Sequence, residues 1–477
     1  MKRSLSQRVC AGPLALAVLG LAACATAPTD PAALQVPAAP AHWAAPWAAQ
    51  PAAPAPGAQW WQAFGDAGLT QLVEQALQAN PDVAAALAAV AQARAVRDGA
   101  QATTGPTLDA SAAVQRSQTG NASPGTVWRA GLDASWEIDA FGRRAAGVQA
   151  SEADVRASEA QLRGVRLTLA AEVATTYFEW WGARERLRLA QASLAAQRAA
   201  LQLTAWRAQA GLASALDLET ARAAVEQTAA TVPALEAAAR QAMHALAVLT
   251  GRPPAAPLPT PPAAAPQPPA AWVLPLPADA LRQRPDVAAA EARLQAAYAR
   301  VRQAEAAQWP TLRLGGALSL AAPRVSDLFD VAALTRSLAA SLAASLFDGG
   351  AAEAQVRAQA AAAEQARAAL ASALLAALRD VENALVALAA DRARLDRLQA
   401  AVASATQAER LASQRYAAGL IDYRALLDAQ RTLLAVQSDL AAVRTAWATD
   451  HVRLIKALGG RPDADAATPP AVPTAQP

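Results

Sequence analysis

Cysteine is almost missing from this chain: two occur among 477 residues, Cys10 and Cys24. A disulfide framework or a cysteine-built metal centre has no material to draw on. Histidine is nearly as scarce, and His42, His244 and His451 each stand more than 200 residues apart. No HExxH, GxSxG or phosphate-loop pattern occurs. The groups that metal, acyl-transfer and nucleotide chemistry need are therefore not assembled. The expectation is a protein that is not an enzyme and holds no metal or cofactor. An excess of either charge is missing too. The formal charge is +3, but Lys2, Arg3 and Arg8 supply all of it, because residues 1–23 contain no Asp or Glu. Without those three, 39 basic residues face 39 acidic ones. With no basic run and no aromatics interleaved with Lys or Arg, nucleic acid is excluded as a partner.

What is present begins with a leader at residues 1–23. Three basic residues precede an apolar stretch, Ala11 to Ala23, that is too short to span a bilayer as a helix. It ends Leu21-Ala22-Ala23-Cys24. This resembles a bacterial lipobox, whose cysteine becomes the first, lipidated residue of the mature protein. The alternative is an ordinary secretory signal with a chance cysteine, yet one of only two cysteines sits at the lipobox position. Acyl chains on Cys24 anchor without spanning, each buried CH₂ contributing about 0.8 kcal/mol. Removal of Cys10 with the leader leaves no internal disulfide. Ala25, in place of Asp, implies export to the outer membrane. Residues 24–58 read as an extended Pro/Ala tether that includes His42, Trp43 and Trp47.

The body repeats itself. Asn80-Pro81-Asp82-Val83 returns as Arg284-Pro285-Asp286-Val287, and Gly105-Pro106-Thr107-Leu108 as Trp309-Pro310-Thr311-Leu312, both 204 residues later. Ala210-Gly211-Leu212 returns as Ala418-Gly419-Leu420 after 208, and Leu249-Thr250-Gly251-Arg252 as Leu458-Gly459-Gly460-Arg461 after 209. Solenoid repeats have periods of about 20–50 residues. This is instead a duplicated half-structure, 59–252 and 278–461, with a Pro-rich connector at 253–277 and a tail at 462–477 expected to be disordered.

Within each half the hydrophobic period changes from helical to two and back. Trp60 to Thr104 reads as helix broken at Asn80-Pro81. Strands follow at about 106–118 and 126–138, where Trp128, Ala130, Leu132, Ala134, Trp136 and Ile138 alternate with Arg129, Gly131, Asp133, Ser135, Glu137 and Asp139. The second half repeats them at about 310–321 and 335–347. Each hairpin leads into some 70 residues free of proline, long enough for a helix of roughly 100 Å. Each then reverses at Ala-Gly-Leu and returns as a shorter helix, interrupted at Pro233 in the first half only.

Strands of about ten residues with one apolar and one polar face are the pattern of a transmembrane β-barrel. Trp128 and Trp136, eight residues apart, span roughly 26 Å, matching an apolar band with aromatic girdles. A soluble half-buried sheet is the competing reading. Four strands cannot close a barrel, and open edges in lipid leave backbone groups unsatisfied. If these strands are inserted, several chains pool them.

With these residues the chain resembles the TolC-like outer membrane factors, in their NodT-type lipoprotein branch that serves RND efflux systems. The lipobox, Trp60-Trp61-Gln62-Ala63-Phe64-Gly65-Asp66, Asn80-Pro81-Asp82-Val83, Trp136-Glu137-Ile138-Asp139-Ala140-Phe141-Gly142, Ala418-Gly419 and Leu426-Leu427-Asp428-Ala429-Gln430-Arg431 occur in that family's order. The resemblance implies an α plus β membrane protein. It would be a homotrimer with a twelve-stranded outer-membrane β-barrel continued by a periplasmic α-helical barrel. That tunnel would dock a periplasmic adaptor and an inner-membrane RND pump. A type I protein-secretion channel and a lipid-anchored periplasmic coiled-coil scaffold are the alternatives.

The helix reversals at Gly211 and Gly419 then form the periplasmic tip. Ser214 and Asp422 are equivalent N-cap residues, and Asp217, three residues after Ser214, fits a capping box. The resemblance gives Asp217 a second role in polar links that close the tip. Asp428 lies too deep to cap. It either pairs with Arg431 or, as the resemblance implies, faces the lumen where three copies form a ring favouring cations. Arg415 and Tyr416 are expected to hold that ring closed, with Arg207 the repeat equivalent of Arg415. The family often has a second Asp where this chain has Ala425, which thins the ring.

Overall fold

The computed structural model describes residues 40–45 and 59–460, apart from 119, 122 and scattered connector positions between 260 and 276. The leader, Cys24, Trp47 and the 462–477 tail lie outside the described residues.

A 3-10 turn at Trp60–Phe64 leads into helix α1, Ala67–Ala79. Asp66 caps α1, accepting from the Gly68 and Leu69 amides at 2.8 and 3.1 Å, while its other oxygen accepts from the Tyr177 hydroxyl at 2.8 Å. Helix α2, Pro81–Ala102, is capped by Asn80 with proline at the first helical position, where its missing N–H is no loss. Strands β1, Thr107–Ser117, and β2, Gly125–Ile138, form a hairpin. Helix α3, Arg143–Gln209, and helix α4, Ala215–Leu249, complete the first half. A short helix α5, Pro277–Gln283, opens the second half. There follow α6, Pro285–Ala306, β3, Thr311–Ala322, β4, Leu334–Ala343, α7, Ala351–Ala417, and α8, Tyr423–Ala457.

The halves match in length as well as order. Both long helices have 67 residues, both return helices 35, and both α2 and α6 have 22. Two details differ from the sequence reading. Helix α4 runs through Pro233 without a break. The proline is exposed, so the carbonyl it leaves unbonded faces water rather than apolar packing. Strand β4 stops at Ala343 instead of 347, because its partner β3 begins at Thr311 behind Pro310 and offers nothing further to pair.

The four strands form one antiparallel sheet in the order β1-β2-β3-β4. The register aligns apolar positions across it: Ala110 with Leu132 with Leu318, and Trp136 with Leu314 with Ala340. The other face is polar. Asp109 stands opposite Asp133, Arg129 donates to Gln115 at 3.2 Å, and Glu137 is held by Arg143 and Arg144 at 2.5 and 2.8 Å. The Trp136 indole donates to the Thr104 carbonyl at 2.9 Å, tying the apolar face to the end where the helices begin. Among the described residues nothing pairs the outer edges of β1 and β4. No described helix is long and apolar enough to cross a membrane, which says nothing against the sheet doing so.

The main core lies halfway along the long helices. Trp60, Phe64, Leu69 and Leu72 pack there against Tyr177 and Phe178 of α3, Leu385 of α7 and Leu454 of α8. Tyr177 is 34 residues into α3, about 50 Å along the helix from the sheet. The segment read as linker reaches this core: Trp43 packs on it, and the Ala44 and Ala45 amides donate to the Glu382 carboxylate at 2.7 and 2.9 Å.

Both halves close by one device. The Asn80 side-chain amide donates to the Leu249 carbonyl at 3.0 Å, and the Arg284 guanidinium donates to Ala457 at 2.8 Å, each joining the start of its half to the end of the returning helix. Gly251 and Gly459 sit beside these bonds at φ of 71° and 90°. A Cβ on Gly251 would lie 2.6 Å from the Ala79 carbonyl, and one on Gly459 2.9 Å from the Arg284 backbone. Gly459→Ala should therefore destabilise by at least the 1–3 kcal/mol or so of a left-handed non-glycine residue. A melting curve unchanged by the substitution would show that the close approach is dispensable.

Packing of α7 on α8 buries two carboxylates, Asp391 and Asp450, with Arg394 at 3.5 Å and Arg453 at 2.5 Å. Burial, and then the charge of Asp450, push the Asp391 pKa above the usual carboxylate range. A folded pKa above the unfolded one means that ionisation costs stability at neutral pH. That cost vanishes as the pH falls through the folded value. Asp391→Asn should raise the melting temperature by a few degrees at pH 7.5, with the gain shrinking by pH 4. A gain that grows on acidification would contradict this sign.

Candidate functional site

At the end farthest from the sheet, α3 and α7 reverse through two identical turns. Leu212 N–H donates to the Arg207 carbonyl at 2.7 Å and Gly211 N–H to Ala208 at 3.1 Å. Leu420 N–H donates to Arg415 and Gly419 N–H to Tyr416, both at 2.9 Å. This pair of bonds is the Schellman closure, which needs a left-handed residue, and Gly211 and Gly419 supply it at φ of 75° and 77°. The return helices start on the expected caps. Ser214 and Asp217 form a reciprocal capping box, Asp217 N–H donating to Ser214 Oγ at 3.0 Å and Ser214 N–H to the Asp217 carboxylate at 3.2 Å. Asp422 accepts from the Ala425 amide at 3.0 Å.

Four contacts then tie the two hairpins to each other. Thr204 and Tyr416 share a buried hydroxyl–hydroxyl hydrogen bond of 2.6 Å. The Arg207 guanidinium lies over the Tyr416 ring at 4.6 Å and donates to the Ala417 carbonyl at 3.0 Å. Within the second hairpin Tyr416 also meets Tyr423 edge to face at 5.9 Å. Arg431 donates to Gln227 at 3.2 Å. Tyr423 is buried, its hydroxyl has no partner, and burial followed by the neighbouring Tyr416 pushes its pKa up. An apolar cluster of Ala200, Ala221, Ala224, Leu426 and Leu427 surrounds the tyrosines.

The sequence-selected residues separate into two groups. Arg207, Tyr416, Gly211, Gly419, Ser214, Asp217 and Asp422 have defined partners within the chain. Arg415 and Asp428 are exposed, and neither side chain has a hydrogen bond or ion pair within the described residues. Arg431 is engaged with Gln227, so the Asp428–Arg431 pair weighed from the sequence does not form. The contacts across the hairpins within the chain are made by Arg207, the repeat equivalent of Arg415. Sequence reasoning missed Thr204 and Tyr423. Thr204 had no signal, and Tyr423 was legible only as an aromatic beside a cap. Exposed leucines crown the turns, Leu212 at 79% and Leu420 at 73%. Among the described residues no group of three His, Cys, Asp or Glu could hold a metal ion.

Comparison with known proteins agrees with this architecture. Pyoverdine export outer membrane protein OpmQ of Pseudomonas putida is 35% identical, covering 98% of this chain and the whole of that protein. Outer membrane protein OprJ of Pseudomonas aeruginosa is 32% identical over 93% of this chain and 94% of its own length. Among solved structures, the outer-membrane channel OprN superposes with a TM-score of 0.82 at 32% identity, covering 89% of this chain and 98% of that one. The outer membrane efflux protein family matches residues 72–252 and 276–460, one stretch in each half. The chain belongs to that family.

Proposed function

We propose that three copies of this chain form a passive efflux conduit across the outer membrane, the exit duct of a tripartite RND-type system. The observation that carries this reading is the open sheet. One face is apolar, both edges are unpaired, and all four strand ends on one side continue into helices. Such a sheet is stable in lipid only if neighbouring copies pair its edges. Three copies give twelve strands, within the range of outer-membrane barrels. The 67-residue helices carry the wall about 100 Å into the periplasm. Lipidation at Cys24 would add an anchor to outer-membrane lipid.

The tip is the gate in this reading. Thr204 and Arg207 on Tyr416 and Ala417, with Arg431 on Gln227, hold the two hairpins of one copy together, whereas exposed Arg415 and Asp428 remain available to other copies. Three Asp428 carboxylates near one axis would favour cations and repel one another. Contacts between copies must then hold the tip shut until an adaptor and the inner-membrane pump engage it. The exposed leucines at 212 and 420 offer the adaptor six apolar knobs per trimer. Exported molecules would pass from periplasm to exterior, with the pump selecting them.

Purified protein should run as a trimer and conduct ions in planar lipid bilayers. A monomer without conductance would overturn the conduit. Asp428→Ala removes the proposed ring and Tyr416→Phe removes the buried bond to Thr204, worth about 1 kcal/mol. Each should raise bilayer conductance several-fold, and two variants that conduct like the parent would sink the gate. Cys24→Ala should abolish incorporation of labelled fatty acid while leaving the trimer intact.

A further inference from the structure

The duplication specifies more than a fold. Helices α2 and α6 are counterparts, yet α6 buries ten residues and α2 only Val83 and Val90. The long helices show the same imbalance. Ala146, Ala150, Ala153 and Ala160 of α3 are buried, while their counterparts 208 residues later, Ala354, Ala358, Ala361 and Ala368 of α7, are exposed. Within the chain α6 packs against α3. Helix α2 therefore lacks the neighbour that α6 has, and α7 lacks the one that α3 has.

Four polar contacts set α6 on α3. Arg302 donates to Gln149 at 2.9 Å, Arg293 to Gln161 at 3.0 Å, and Arg156 to Gln295 at 3.1 Å, and Arg300 pairs with Asp154. Moving α6 back by 204 residues and α3 forward by 208 converts each into a counterpart pair. Arg302 with Gln149 becomes Asp98 with Arg357, two opposite charges. Arg300 with Asp154 becomes Val96 with Ala362, so the ion pair is lost from both sides together. Arg293 with Gln161 becomes Ala89 with Ala369. Arg156 with Gln295 becomes Glu364 with Ala91, and Glu364 is already held by Arg367 at 2.7 Å. Independent drift would leave charges facing apolar residues at most positions; here only Glu364 faces one, and its charge is answered on its own helix by Arg367. Val96 is 60% exposed in the single chain, and among the described residues Asp98 and Arg357 pair with neighbours on their own helices, Arg97 and Glu353.

We propose that α2 of one copy seats on α7 of the next in the register that α6 takes on α3, joining Asp98 to Arg357 and Val96 to Ala362. The occupant of each face is a second copy of this chain, so the proposal rests on the trimeric reading above. The same operation applied to the strands agrees with it. The within-chain pairs Ile138 with Leu312 and Ala134 with Gly316 become Leu346 with Leu108 and Leu342 with Ala112 of the next copy. Leu108, Ala112 and Leu342 lie on the apolar face, and Leu346 shares their parity in the sequence beyond the end of β4. Residues 344–346, which have no partner from β3, gain one.

Charge reversal tests the seam on the full-length protein. Asp98→Arg and Arg357→Asp should each lower the trimer's dissociation temperature in detergent by several degrees, and the double variant should recover most of the loss. Single variants that dissociate like the parent, or a double variant that loses the sum of both, would overturn the pairing. As a second measurement, the double variant V96C/A362C treated with a short bismaleimide should give covalent dimers and trimers. V96C/A369C, displaced by two helical turns, should not, and the single variants control for Cys24. A parent that is trimeric and conducts while V96C/A362C fails to crosslink would refute the register and leave the conduit standing. A monomeric parent without conductance would refute the conduit itself.

Discussion

A backbone polar group placed in hydrocarbon has to be hydrogen-bonded within protein, at several kcal/mol for each that is not. The rest of this architecture is organised around that constraint. The sheet has one face mostly of Leu, Ala, Val and Trp, with Arg116 and Arg336 near the end away from the helices, and two edges that the described residues leave unpaired. Closure by further copies follows in the proposed conduit, and the helices come with it. At each strand-to-helix junction a glycine in the left-handed region turns the chain, Gly142 and Gly350, at φ of 75° and 87°. A carboxylate then collects the free amides of the first turn. Asp139 accepts from Arg144 and Ala145, and Asp348 from Gly350 and Ala352. The link from strand to helix is therefore held by a carboxylate and a glycine turn, over residues 139–142 in the first half and 344–350 in the second.

Long helices are poorly self-supporting when nearly half of their residues are small. Alanine allows close approach but contributes little apolar area. The body compensates by concentrating its large side chains in one belt, where Trp60, Tyr177, Phe178 and Leu385 pack at mid-length. The two closures, Asn80 to Leu249 and Arg284 to Ala457, lie at this belt. The second is the more polar because Arg284 also meets Asp286 at 2.7 Å and Asp380 at 3.3 Å. A buried arginine tolerates this position only because its donors are satisfied.

Much of the fold was legible because its signals were long-range or periodic. Offsets of 204 and 208 placed the two halves, and strict alternation from Trp128 to Ile138 placed β2. What escaped was decided by local context. Pro233 breaks a helix only where the freed carbonyl cannot reach water, and there it is exposed. The end of β4 depends on Pro310, a residue of the neighbouring strand. The docking of Trp43 depends on Glu382, 338 residues from Ala44, a pairing that no local pattern announces. At the tip, glycines and caps were readable from their spacing, because those residue types have few other reasons to stand there. Thr204 was not, since a threonine inside a helix carries no mark of the tyrosine it will meet.

The copies agree where the tube is built and differ where it is meant to move. Both turns, both cap positions and the lengths of the 22-, 67- and 35-residue helices coincide between the halves. The pair that ties hairpin to hairpin by a buried hydrogen bond does not, since Tyr416 has Ala208 as its counterpart and Thr204 has Ala412, and exposed Asp428 likewise has Thr220. A perfectly repeated tip would put the same contact at every junction, within chains and between them, and every junction would open at one threshold. In the proposed conduit, distinct contacts let the junction inside a chain be firm, through the buried Thr204–Tyr416 bond, while the junction between copies would depend on exposed charges at Arg415 and Asp428. Charges in water interact weakly and respond to a partner's approach, whereas a buried hydroxyl pair does not. The duplicated frame thus confines change to the between-chain junctions, where an arriving adaptor would make its contacts.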